Sequence, residues 1–147
     1  MEIFDAFCGV GPWAERDPLL PYRPQDILGL MDHFGIARAL VFGNIGARRG
    51  RAPVANETAA QAASGNPRFV PAFTLGLHPH GDGPSADQYA EAMRVAGARA
   101  VWLHSAAGQS DAQFAVRLLA GTLALCSEAR LPVLMHADKV SPAQVEA

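Results

Sequence analysis

Four of the five histidines in this chain come at or soon after the end of an apolar run: His78-Pro79-His80 after residues 69–75, His104 after 98–103, and His136 closing 131–136. Imidazole suits zinc and similar ions. A set drawn from His78 or His80 with His104 and His136 would therefore suit a divalent metal, zinc by ligand type. Histidines at strand ends also serve only to hydrogen-bond their loops, and His-x-His in a loop rich in proline and glycine is a weak signal. Asp138, two residues past His136, has the reach of a general base, or else caps the helix that follows. Arg48, Arg49 and Arg51 could grip a carboxylate or phosphate bidentately; solvated loop charges are the commoner outcome for such residues. Trp13 and His104 complete the candidate substrate contacts, with packing as the plain alternative for Trp13. Cys8 could act as a thiolate nucleophile or ligand, but no histidine is tied to it by spacing, and a buried thiol is the default. His33 lies inside a helical pattern, as a surface or inter-helix residue.

These side chains need elements to hold them. Residues 1–7 form a short apolar strand, and 9–24, with four prolines and two glycines, reads as a long loop. Ile27, Leu30, Met31 and Phe34 recur at helical spacing, and Gly35 supplies a left-handed stop. Residues 37–43 are a continuous apolar run, as in a strand buried on both faces of a parallel sheet. The alternation continues: helix 56–64, strand 69–75, helix 86–96, strand 98–103, helix 111–130 and strand 131–136. Ser85-x-x-Gln88 and Ser110-x-x-Gln113 are capping-box patterns, and Ser141-Pro142 opens a last helix. Gly35-Ile36-Ala37-Arg38-Ala39-Leu40 and Gly97-Ala98-Arg99-Ala100-Val101 form a weak internal repeat that joins a helix end to a strand. Strands alternating with helices imply right-handed crossovers and a parallel sheet, either an open doubly wound layer or a barrel. Periodicity does not choose between them.

The 147 residues are 50% hydrophobic with a formal charge of -2, which describes one globular unit with a substantial core. The 11 arginines and single lysine are balanced by acidic residues, so the composition gives no support for nucleic-acid binding. No apolar run reaches the roughly 18 residues of a membrane span, and no secretory leader is visible. The cytoplasm is the default location, with Cys8 and Cys126 expected as reduced thiols.

Several segments, taken in order, resemble the amidohydrolase superfamily of metal-dependent TIM-barrel hydrolases. Phe4-Asp5-Ala6 with Cys8 and Gly11 is similar to the first-strand signature, and Leu30 to Ala39 to the joint between first helix and second strand. Asn56-Glu57 leading to Asn66-Pro67-Arg68-Phe69-Val70-Pro71 looks like the segment before the third strand, and Ala129 to His136 like a fifth strand ending in a metal-binding histidine. The resemblance implies an α/β fold of the parallel (β/α)8 TIM-barrel type, with residues 1–147 forming a partial domain of strands one to five. It also implies an active site at the carboxyl ends of the strands. In the family the first strand ends Asp-x-His-x-His. Here Asp5 keeps its place, while Phe7 and Gly9 stand at the two histidine positions, so His136 is the one matching ligand.

A closed barrel needs eight strands and typically about 250 residues. With five strands and an end one turn into the helix opened by Ser141, the chain reads as part of a longer protein. Were it complete, the outer strands would be open edges that a partner must cover, and a homo-oligomer would follow. The expected activity is that of an amidohydrolase-like hydrolase or decarboxylase acting on a small organic acid, ester, lactone or amide, with metal dependence altered at the first strand. The alternative is a barrel without chemistry that binds a ligand or serves as a scaffold.

Overall fold

The computed structural model describes residues 2–12, 22–47, 51–75, 84–103, 120–121 and 123–135. Its elements run β1 (Ile3–Val10), α1 (Pro24–Phe34), β2 (Ile36–Gly43), a 3-10 turn (Asn44–Ala47), α2 (Ala52–Gly65), β3 (Phe69–Leu75), α3 (Ala86–Ala96), β4 (Ala100–Leu103) and β5 (Val133–Met135). Helical backbone over 123–128 leads into β5. Among the described residues, no helix is long and apolar enough to cross a membrane.

The helices begin and end where local chemistry allows. Proline sits in the first turn of α1 and of α2, where its missing N–H costs nothing. The capping box of α3 forms: Gln88 N donates to Ser85 Oγ and Ser85 N to Gln88 Oε1, at 3.2 and 2.8 Å. Gly35 and Gly97 both end their helices at φ 67°, so the repeated helix-glycine-strand joint is one geometry used twice. The Ser110 and Ser141 caps lie outside the described residues.

All five strands are parallel and stand in chain order, β1-β2-β3-β4-β5. That order excludes the doubly wound layer, whose chain reverses direction from its first strand. The sheet is also curled. Phe7 on β1 and Trp102 on β4 have ring centroids 5.6 Å apart, whereas three strand spacings in a flat sheet would separate them by about 14 Å. The result is a five-stranded, all-parallel half-barrel.

Its two faces carry different cores. On the concave side Leu40, Phe42, Val70, Ala72, Ala100 and Trp102 pack together, joined by Leu134. On the convex side Ile27 and Met31 of α1 meet Val10, Ala39, Val41 and Phe69. Tyr89 and Met93 of α3, with Cys126, cover Phe73, Leu75, Val101 and Leu103. Each buried side chain of this size contributes roughly 1.5–3 kcal/mol. α2 instead presents alanines, with Ala52, Ala55 and Ala59 at 0–1% exposure, and so sits close against the sheet.

Several boundaries differ from the expectation: β5 begins at Val133 rather than 131, after helical backbone that ends at 128 rather than 130. β1 runs through Gly9 to Val10, because Cys8, Gly9 and Val10 pair with Val41, Phe42 and Gly43; the glycine that suggested a loop is a strand residue. α2 starts at Ala52, four residues early, with Pro53 in its first turn. β4 starts at Ala100 because Gly97 and Ala98 are still closing α3: Gly97 N donates to Arg94 O and Ala98 N to Met93 O.

Candidate functional site

β1 carries an irregularity between Asp5 and Cys8, where three steps on β1 match two on β2. Phe7 N donates to Asp5 Oδ1 at 2.9 Å within it. Asp5 therefore braces the local backbone. Past the bulge, Cys8 joins the convex core, while Phe7 and Gly9 share the concave face with Phe42. Phe7, Phe42 and Trp102 form one aromatic cluster, with Phe7–Phe42 at 4.5 Å and Phe42–Trp102 at 4.3 Å. Phe42 and Trp102 are buried, whereas Phe7 is 51% exposed and forms the lip.

Asn44 follows the last residue of β2 and is 1% exposed. Its Nδ2 donates to Gly11 O at 2.7 Å, tying the end of β2 to that of β1. A Cβ on Gly9 would collide with Asn44 Oδ1, so the carboxamide fills the space of the side chain that position 9 lacks. Thr74 lies on the face of Val70 and Ala72, in register with Trp102. Asn44 Oδ1 and Thr74 Oγ1 are buried without a hydrogen-bond partner among the described residues. Such atoms are uncommon in folded proteins and call for a partner.

The neighbouring hydrogen bonds hold this rim in place. Asn56 on α2 is buried, and its carboxamide takes both backbone groups of Thr74: Thr74 N donates to Oδ1 at 2.6 Å and Nδ2 donates to Thr74 O at 3.1 Å. The pairing of β2 with β3 ends at Val41 and Pro71, and Asn56 adds one further rung. Below, at the start of β3, the Arg68 guanidinium donates to Ala37 O, Ile36 O and Asp32 Oδ1 at 3.1, 2.6 and 2.6 Å. Asn56 and Arg68 thus do structural work at the two ends of β3.

The resulting surface offers the exposed ring of Phe7 to an apolar or planar ligand, with Phe42 and Trp102 packed behind it. The β1 end does not fit a metal. Phe7 carries an arene and Gly9 no side chain, and Cys8 lies on the other face, where burial and then the Asp5 carboxylate push its thiol up from 9.0 to about 11. At neutral pH that thiol is protonated, which also removes it as a nucleophile. Cys126 is a second free thiol, buried and likewise raised by desolvation. His33 is exposed on α1 with its ring 4.7 Å from that of Phe34, as a surface residue. Arg51 is exposed just ahead of α2. His78, His80, His104, His136, Asp138, Arg48 and Trp13 lie outside the described residues. Among the described residues, no three His, Cys, Asp or Glu side chains are grouped to hold an ion.

Asn44, Phe42 and Thr74 were not among the sequence candidates. A polar residue that ends or interrupts a buried apolar run was the available signal, present at Asn44 after 37–43 and at Thr74 within 69–75. No model of a known protein family and no curated protein matches this chain.

Proposed function

We propose that this chain belongs to an amidohydrolase-like (β/α)8 barrel that hydrolyses or decarboxylates a small organic acid, ester, lactone or amide at the carboxyl rim of its strands. One observation carries this reading: the sheet, in chain order, curls until Phe7 and Trp102 touch, which gathers the strand ends around one aromatic floor. From β4 the sequence passes directly into His104, and from β5 directly into His136. In this reading His136 and Asp138 carry the proton transfers, and His104, Arg48 and Trp13 hold the substrate. Where a divalent metal such as zinc rests on His136 with His78 or His80, away from β1, Asp138 alone moves the proton. Phe7 would pack against the apolar part of the substrate.

Five strands alone are not expected to turn over substrate, so the test is the turnover of ester, lactone, amide and carboxylic-acid panels by the purified full-length barrel, together with its metal content. His136→Ala should lower kcat/KM by a factor of about 100 or more, the usual worth of a general acid or base. Unchanged turnover would remove His136 from the reaction. The second reading, a ligand-binding barrel without chemistry, is favoured by the carboxamide of Asn44 filling the space at Gly9. It predicts saturable binding of a small ligand with no turnover and no stoichiometric metal.

A further inference from the structure

On the convex side, away from the aromatic floor, α2 and α3 flank β3 without filling the space between them. A groove of about 1130 Å3 remains. Its floor is Phe69, Pro71 and Phe73, and small residues such as Ala60 and Ala63 on α2 and Ala92 and Ala96 on α3 share its walls with larger ones such as Gln61 and Tyr89. The wall residues follow helical spacing. On α2 they run from Pro53 to Ser64, about 16 Å at the rise of an α-helix. Small side chains on both walls let a third helix approach closely. The groove is also larger than the roughly 300–1,000 Å3 of most small-molecule sites.

The charge at its rim has one sign. Glu57, Asp87 and Glu91 line the groove, and among the described residues no lysine or arginine does. Arg94 engages Glu91 at 2.7 Å on the exposed side, which leaves Glu57 and Asp87 to set the field. Val95, 72% exposed, extends the apolar surface along α3.

We propose that this groove is a docking site for an amphipathic helix of a partner protein, about three turns long, with a small apolar face and lysine or arginine along its flanks. The apolar face would cover Phe69, Phe73 and the alanine walls, and the basic flanks would lie against Glu57 and Asp87. This proposal stands independently of any activity at the strand ends.

The probe is a fluorescent amphipathic peptide of about fourteen residues, with leucine and alanine on one face and lysine on the flanks, titrated with the purified protein and followed by anisotropy. Saturable binding at micromolar concentration is expected, about tenfold or more weaker for the same peptide with glutamate flanks. Ala92→Trp, at an exposed position, should fill the groove and abolish binding. Glu57→Lys, also exposed, should weaken the lysine peptide and strengthen the glutamate one, with an unchanged circular dichroism spectrum showing that the fold is kept. Absence of binding, equal affinity for the two peptides, or insensitivity to both substitutions would overturn the proposal. So would self-association of the chain that Ala92→Trp removes, because the groove would then belong to a second copy.

Discussion

Asn44 occupies the space that any side chain at position 9 would need: its Oδ1 lies where a Cβ on Gly9 would stand, and its Nδ2 is bonded to Gly11 O at 2.7 Å. The two positions form one packing unit across the ends of β1 and β2. A residue larger than glycine on β1 and the buried carboxamide just past β2 exclude each other.

Gly9→Ala should therefore destabilise the protein by about 1–3 kcal/mol, the usual cost of overpacking a filled site. Gly9→His should cost at least as much without creating a metal site. Urea denaturation of Gly9→Ala, Asn44→Ala and the double variant checks this. The double variant should lose less than the sum of the two, with a coupling of about 0.5–3 kcal/mol.

Asn56→Ala should cost about 2–4 kcal/mol, because it leaves both the N–H and the C=O of Thr74 buried without their partner. Amide hydrogen exchange at Thr74 should accelerate with it. An unchanged exchange rate would mean that the clamp adds nothing to the ladder.

Arg68 and Asp32 should separate in a mutant pair. The guanidinium reaches two main-chain carbonyls as well as Asp32, and the carboxylate of Asp32 is 69% exposed. Asp32→Ala should cost less than about 1 kcal/mol, while Arg68→Lys should cost more, because an ammonium cannot reproduce the planar fork. Thermal or urea denaturation of the two variants gives the order directly.

Cys8 should resist alkylation at neutral pH, since its thiol is held near 11 by burial first and Asp5 second. Asp5→Asn keeps an oxygen for Phe7 N and removes the charge, so the pKa should fall while burial holds it above 9.0. The sign for stability follows. A thiol raised in the folded state releases its proton first in the unfolded chain, so stability should decline as pH climbs from about 9 to 11. Iodoacetamide labelling rates against pH, with and without Asp5→Asn, measure both shifts.

Much of the fold was legible in the residues because local chemistry decides it. The glycine stops at Gly35 and Gly97, the Ser85–Gln88 box and the largely apolar run 69–75 each act over a few residues, and each formed as read. The alternation of strand and helix likewise determined a parallel sheet before any contact was known. At the end of β1 Gly9 signals a loop by type, while its real constraint is a neighbour 35 positions away, Asn44. Whether the sheet is open or curled was beyond the sequence for the same reason. Strand order and the meeting of Phe7 with Trp102 depend on contacts between residues far apart in the chain, which no local pattern encodes. The tertiary structure also gave Asn44, Thr74 and Asn56 their roles, since a buried amide or hydroxyl acquires meaning only from what surrounds it. The residue types alone drew attention to Phe7 and Gly9; the structure supplied their physical content, an aromatic lip beside a carboxamide in a glycine's vacant space.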